Sequence, residues 1–122
     1  MLFVAGGIGI TPFHAVLKQR SHDKLPTKLH MIYASRDENI IFKDELEAWE
    51  KQFPDLIVDY FIGESLTYYL IKNAAPDLND CLVYISGAAP MVASLGKELV
   101  ESGLPKAELM QDFLDGYTAQ TF

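Results

Sequence analysis

Short, almost uninterrupted apolar runs alternate along the chain with stretches whose apolar residues recur at helical spacing. The first run, Leu2 to Ala5, leads into Gly6, Gly7 and Gly9 and then into Thr11 and Pro12, which read as an N-cap and a first helical residue before a helix over Phe13 to Arg20. A polar loop, Ser21 to Lys28 with Pro26, separates it from a second run, Leu29 to Ala34. Ile41 to Phe53 carries Phe42, Leu46, Trp49 and Phe53 at intervals of three and four with charges between, a helix that Pro54 ends. A third run, Leu56 to Ile62, stops at Gly63, and a helix follows over Leu66 to Ala74 with Leu66, Tyr69 and Leu70 toward one side. After a turn at Pro76 to Asp80 comes a fourth run, Cys81 to Ile85. Pro90 to Ser102 then forms a helix with Met91, Leu95 and Leu99 as its apolar stripe and Gly103 as its terminating glycine. Glu108 to Phe113 is a fifth strand.

Regular alternation of strand and helix, with strands rich in Val, Ile and Leu and little polar alternation, predicts a parallel sheet covered on both faces. The expectation is one doubly wound, Rossmann-like α/β domain over residues 1–122, with five parallel strands. In such folds ligands bind beyond the carboxyl ends of the strands, where the strand order reverses. The residues after the predicted strands fit that rule. They are the glycine loop, Ser35-Arg36-Asp37, Gly63-Glu64-Ser65 and Ser86-Gly87-Ala88-Ala89-Pro90, so small, polar and charged groups gather at one rim.

The glycine loop is the strongest chemical signal. Glycines admit positive φ and let a ligand approach the backbone closely, and the helix behind them aims unpaired amides and a positive dipole end at the loop. An anion such as a pyrophosphate fits there best. Counting from Gly7 and Gly9, Pro12 stands at the third glycine position of G-x-G-x-x-G, so the common dinucleotide fingerprint is not met. A glycine-rich turn serving only tight strand-to-helix packing is the plainer alternative.

Composition narrows the partners. The 122 residues, 49% hydrophobic, suit a single core. Ten basic against 17 acidic residues give a net charge of −7, which argues against nucleic acid or an anionic membrane surface as the main partner. No apolar run approaches a membrane span. Cys81 alone excludes an intrachain disulfide and points to a reducing, cytoplasmic setting; as the start of an apolar strand it reads as an inert buried thiol. His14, His22 and His30 lack metal-ligand spacing, so no metal site is expected and each reads as structural. The first strand begins almost at Met1, as in the second half of a larger unit.

The motifs taken together resemble the nucleotide-binding domain of ferredoxin-NADP reductase-like flavoenzymes, a family that includes phthalate and phenol oxygenase reductases and the reductase part of flavohaemoglobins. Ala5-Gly6-Gly7-Ile8-Gly9-Ile10-Thr11-Pro12 is similar to the family's pyrophosphate loop. Tyr33 to Arg36 with Ile40-Ile41-Phe42-Lys43-Asp44-Glu45-Leu46 resembles the segment around the adenosine ribose. Tyr84-Ile85-Ser86-Gly87 with Pro90-Met91-Val92 resembles the Cys-Gly-Pro segment beside the nicotinamide, with Ser86 in place of the usual cysteine and Ala88 in place of a common proline. Phe113-Leu114-Asp115-Gly116-Tyr117 is loosely similar to the closing segment, and Phe122 to the aromatic that covers the flavin in some relatives.

The resemblance implies NAD(P)H binding and hydride transfer from nicotinamide C4 to an FAD held by a barrel domain upstream or on another chain, with an unknown electron acceptor downstream. No Arg-x-Tyr-Ser flavin motif occurs here, so the chain alone is not expected to hold FAD or turn over. Gly6, Gly7, Gly9 and Thr11 are the expected pyrophosphate contacts. Ser35 and Arg36 fall at the ribose, where Arg36 either forks onto a 2′-phosphate with Lys43 nearby or pairs with Asp37 or Glu38. Phe42 is placed either on adenine or in the core. Ser86, Gly87 and Met91 fall at the nicotinamide, Ser86 as the catalytic candidate that orients the carboxamide; nucleophilic chemistry at Ser86 would need a base that no histidine supplies. A free-standing nucleotide-binding or regulatory module is the alternative function, and a degenerate interaction domain a third.

Overall fold

The structure is a computed structural model that describes residues 1–25, 28–38 and 40–114. Strands β1 (Leu2–Gly6), β2 (Leu29–Ser35), β3 (Leu56–Ile62), β4 (Val83–Ala88) and β5 (Leu109–Leu114) form one sheet in the order β3-β2-β1-β4-β5. Every pairing is parallel. Helices α1 (Ile10–His22) and α2 (Lys43–Gln52) lie on one face, α3 (Tyr68–Ala74) and α4 (Ala89–Glu101) on the other. The doubly wound five-stranded fold expected from the alternation is therefore present.

Period-two geometry explains why the strands read as continuous apolar runs. Leu2 and Val4 of β1 pack with Val92, Leu95 and Leu99 of α4, while Phe3 and Ala5 pack with Ile10, Phe13 and Leu17 of α1. Both faces of the strand are buried, so no polar position alternates. The chain steps outward from β1 to β2 and β3, then crosses back to place β4 on the other side of β1. That reversal sets the switch point between β1 and β4.

Several boundaries differ from the sequence pattern, each for a local reason. A 3-10 turn over Gly7–Gly9 runs directly into α1, so the helix starts at Ile10 and ends at His22. Thr11 is not the N-cap. Gly9 holds that position, and the Thr11 hydroxyl donates back to the Ile8 carbonyl at 2.9 Å instead of accepting from a helix amide. Pro12 is the third helical residue, still within the turn whose amides have no intrahelical partner, and so it costs no bond. In α3, Thr67 is the cap and accepts from the Leu70 amide at 3.3 Å; Ile71 is the buried residue and Tyr69 is 76% exposed, contrary to the predicted apolar side. The buried stripe of α4 is Val92, Leu95, Gly96 and Leu99, with Met91 half-buried beside it.

The fourth strand shows the largest shift. It begins at Val83 rather than Cys81 and continues through Ser86, Gly87 and Ala88, which pair with Asp112, Phe113 and Leu114 of β5. Cys81 precedes the strand, is only partly buried, and directs its thiol at the Asp77 carbonyl, 3.4 Å away. Tyr117 and Phe122 lie outside the described residues.

Candidate functional site

The carboxyl ends of β1 and β4 converge at the switch point, and glycine sets how closely. Gly7 has φ +54, whereas Gly6 is extended at φ −111 and Gly9 helical at φ −59, so only one of the three loop glycines needs the left-handed region. Gly9 answers to a different constraint. A Cβ there would fall 2.1 Å from the Ser86 carbonyl oxygen and 2.8 Å from the Gly87 amide nitrogen. A Cβ on Gly87 would meet Met91 Cε at 2.7 Å and the Gly6 carbonyl oxygen at 3.3 Å. Backbone therefore packs on backbone, and the loop after β1 touches the end of β4.

This contact brings two helix starts together. No side chain caps the Gly7–Gly9 turn, α1 or α4, and none of these three first turns contains an acidic residue. By contrast, α2 carries Asp44 and Glu45 in its first turn, and α3 is capped by Thr67. The only helix starts left without both cap and acid among the described α-helices are the two that meet at the switch point. The Ile10 amide already bonds to the Gly7 carbonyl, so on the β1 side the open helical start is the Gly7–Gly9 turn; its dipole end and that of α4 aim at one place, a candidate cradle for an anion.

The other expected site residues lie around this cradle with distinct roles. Ser35 ends β2 and is buried; its hydroxyl donates to the Asp37 carbonyl at 2.7 Å, while its own carbonyl accepts from the Gly63 amide at 2.8 Å. Arg36 is exposed at the same rim, followed by exposed Asp37 and Glu38. Ser86 is completely buried inside β4, and its hydroxyl has no hydrogen-bond partner among the described residues. A buried hydroxyl with unspent bonding capacity is uncommon in a native interior and marks Ser86 out among the residues of β4. Gly6, Gly7, Gly9, Thr11, Gly87 and Met91 border this place, whereas Ser35 ends β2, one strand away, and Arg36 follows it.

Phe42 is neither within a helix nor in a plain core position. It is the N-cap of α2 at φ +64, and its ring stacks on His14 of α1 with centroids 3.7 Å apart. Tyr33 is buried near the Ile41 backbone; burial pushes its hydroxyl above the ordinary phenol range, and the Ile41 backbone opposes that rise. Sequence reasoning assigned His14 no site role, because its partners lie 31 residues or so away and no local pattern reveals them.

Fold and site together define a doubly wound dinucleotide-binding domain with an anion cradle at its switch point. The chain matches the oxidoreductase NAD-binding domain model over residues 3–97 and belongs to that family. It is 34% identical over 109 residues to the inducible NADH nitrate reductase 2 of Glycine max, covering 75% of this chain and 12% of that protein. It is 27% identical over 119 residues to NADH-cytochrome b5 reductase 1 of Kluyveromyces lactis, covering 86% of this chain and 42% of that one. The ferredoxin-NADP+ reductase of Plasmodium falciparum shares the fold at a TM-score of 0.75 and 20% identity, over 93% of this chain and 51% of that one. The chain thus spans less than half of the curated relatives named here. Among the described residues no helix is long and apolar enough to cross a membrane.

Proposed function

We propose that this domain is the NAD(P)H-binding half of a flavin-dependent electron-transfer reductase and that it takes NADH. The observation that carries the reading is the pair of uncapped, acid-free helix starts meeting where Gly9 packs on Ser86 and Gly87. The pyrophosphate lies over Gly6, Gly7, Gly9 and Thr11, the adenosine ribose beside Ser35 and Arg36, and the nicotinamide against Gly87 and Met91. When bound, the nicotinamide would supply a hydride from C4 to an FAD held by a separate domain. This chain's residues bind and orient: the helix starts neutralise the pyrophosphate, the bare Gly87 lets Met91 and the glycine loop close on the strand end beside the nicotinamide, and the unspent Ser86 hydroxyl orients the carboxamide.

NADH is favoured over NADPH by the charges at the ribose rim. A 2′-phosphate would bring about two negative charges beside Asp37 and Glu38, offset by Arg36 alone at that turn. The names of the nitrate and cytochrome b5 reductase relatives agree with NADH. The test adds an FAD-loaded barrel domain to the purified chain and follows flavin absorbance after NADH or NADPH. Faster bleaching with NADH supports the proposal. Dinucleotide binding without bleaching would make the chain a binding module without redox chemistry.

A further inference from the structure

His14 and Phe42 form a joint between the two helices that border the site, a feature the reading above leaves unused. Phe42 is one of two non-glycine residues with positive φ among those described, a conformation that persists only where surrounding contacts hold it. Phe42 packs on the core of the α1 and α2 face, and the ring stacked directly on it is that of His14. Its imidazole stacks on Phe42 at 3.7 Å and 19°, shares a 2.9 Å hydrogen bond with the Glu45 carboxylate, and lies 5.3 Å from the Trp49 ring. Residues 42, 45 and 49 fall on one side of α2, so a single side chain from α1 grips three successive positions of it.

The grip acts on the ribose side. The Phe42 carbonyl accepts the first bond of α2 from the Leu46 amide at 2.9 Å, and the chain leading to it begins at Ser35 and Arg36. Ser35 is held through the Asp37 and Gly63 bonds, and Phe42 is held by His14. Because His14 stands one helical turn after Thr11, the same helix that presents amides to the pyrophosphate also sets where the adenosine segment lies.

We propose that His14 is a positioning residue that holds Phe42, and with it the start of α2, in the conformation that lets the rim after β2 receive the adenosine ribose. The inference rests on the dinucleotide reading above. Its action passes through Phe42 and Glu45; His14 itself touches neither base nor phosphate.

The full chain and its His14→Ala variant are titrated calorimetrically with adenosine monophosphate, nicotinamide mononucleotide and NADH, and amide exchange is followed without ligand. The expected result is faster exchange at the Leu46 amide with the sheet unchanged, and a roughly tenfold loss of affinity for adenosine monophosphate and NADH alike. Nicotinamide mononucleotide keeps its affinity. His14→Phe, which retains a ring for the stack but not the Glu45 bond, recovers most of the loss. Unchanged adenosine monophosphate affinity in His14→Ala, or an equal loss for both mononucleotides, overturns the positioning role while leaving the dinucleotide reading intact. Failure of the unaltered chain to bind NADH overturns that reading and the inference with it.

Discussion

Gly9 illustrates how one residue serves packing and chemistry together. The glycine triplet reads in sequence as a place for positive φ and for close approach of a ligand, yet Gly9 has an ordinary helical φ and its bare α-carbon faces the backbone of Ser86. Both obstructing groups are backbone, so no side-chain rotation relieves an added methyl. Gly9→Ala should lower stability by about 1–3 kcal/mol and weaken NADH binding, as read by thermal unfolding and calorimetry. Ser86→Ala should separate the two effects. Removing an unpartnered buried hydroxyl leaves the melting temperature equal or higher, while flavin reduction slows by roughly tenfold. Two titratable residues give further tests. Burial raises the Glu50 carboxyl first, with Glu47 and Asp59 adding to the rise and the Val58 backbone opposing it. The folded chain therefore holds that proton more tightly than the unfolded chain, and the associated stability, full at acid pH, is lost as pH rises through the raised value. Glu50→Gln should raise the melting temperature at neutral pH and leave it unchanged at acid pH. For Cys81, burial followed by the Asp77 charge pushes the thiol up, so alkylation near neutral pH should be slower than for a free thiol.

At the level of elements, apolar periodicity revealed which segments form strands and helices and missed what happens at their ends. The end of α4 was legible. Gly103 at φ +111 donates to the Val100 carbonyl at 3.1 Å, Leu104 donates to that of Leu99 at 3.0 Å, and both leucines are buried in one cluster. This is the Schellman arrangement that a glycine after a helix signals. Gly103→Ala should cost about 1–2 kcal/mol, measurable by denaturant unfolding. The start of α1 was misread because threonine before proline is a common cap pair, whereas the glycine turn had already begun the helical path at Gly7. The extension of β4 through Ser86, Gly87 and Ala88 was hidden for another reason. Small residues carry no strand signal of their own, and only pairing with Asp112, Phe113 and Leu114 of β5 shows them to be sheet. The close fit of α4 on β5 was likewise invisible. Gln111 donates to the Val92 carbonyl at 3.0 Å across the bare α-carbon of Gly96, a contact between residues 19 apart in sequence.

For the whole molecule, the strand order β3-β2-β1-β4-β5 turns local signals into a site. Each helix start is a weak anion site alone; the crossover that returns the chain beside β1 sets the starts of α1 and α4 against each other. The class of fold was readable from the alternation, and the residues after each strand marked the rim proposed for the nucleotide. The arrangement of that rim was not, since it depends on backbone contact between segments nearly 80 residues apart. A cleft of about 320 Å³ lies elsewhere, at the amino ends of β1, β2 and β3, between Met1, His30, Asp59 and Ala75. It lies at the wrong end of a parallel sheet for a nucleotide. The central claim is thus one of place, and backbone amide shifts during an NADH titration test it most directly. The account predicts saturable changes at Gly7, Gly9, Thr11, Arg36, Gly87 and Ala88, with His30 and Asp59 unmoved. Changes confined to the His30 and Asp59 end of the sheet, or no saturable change at the switch point, would contradict it.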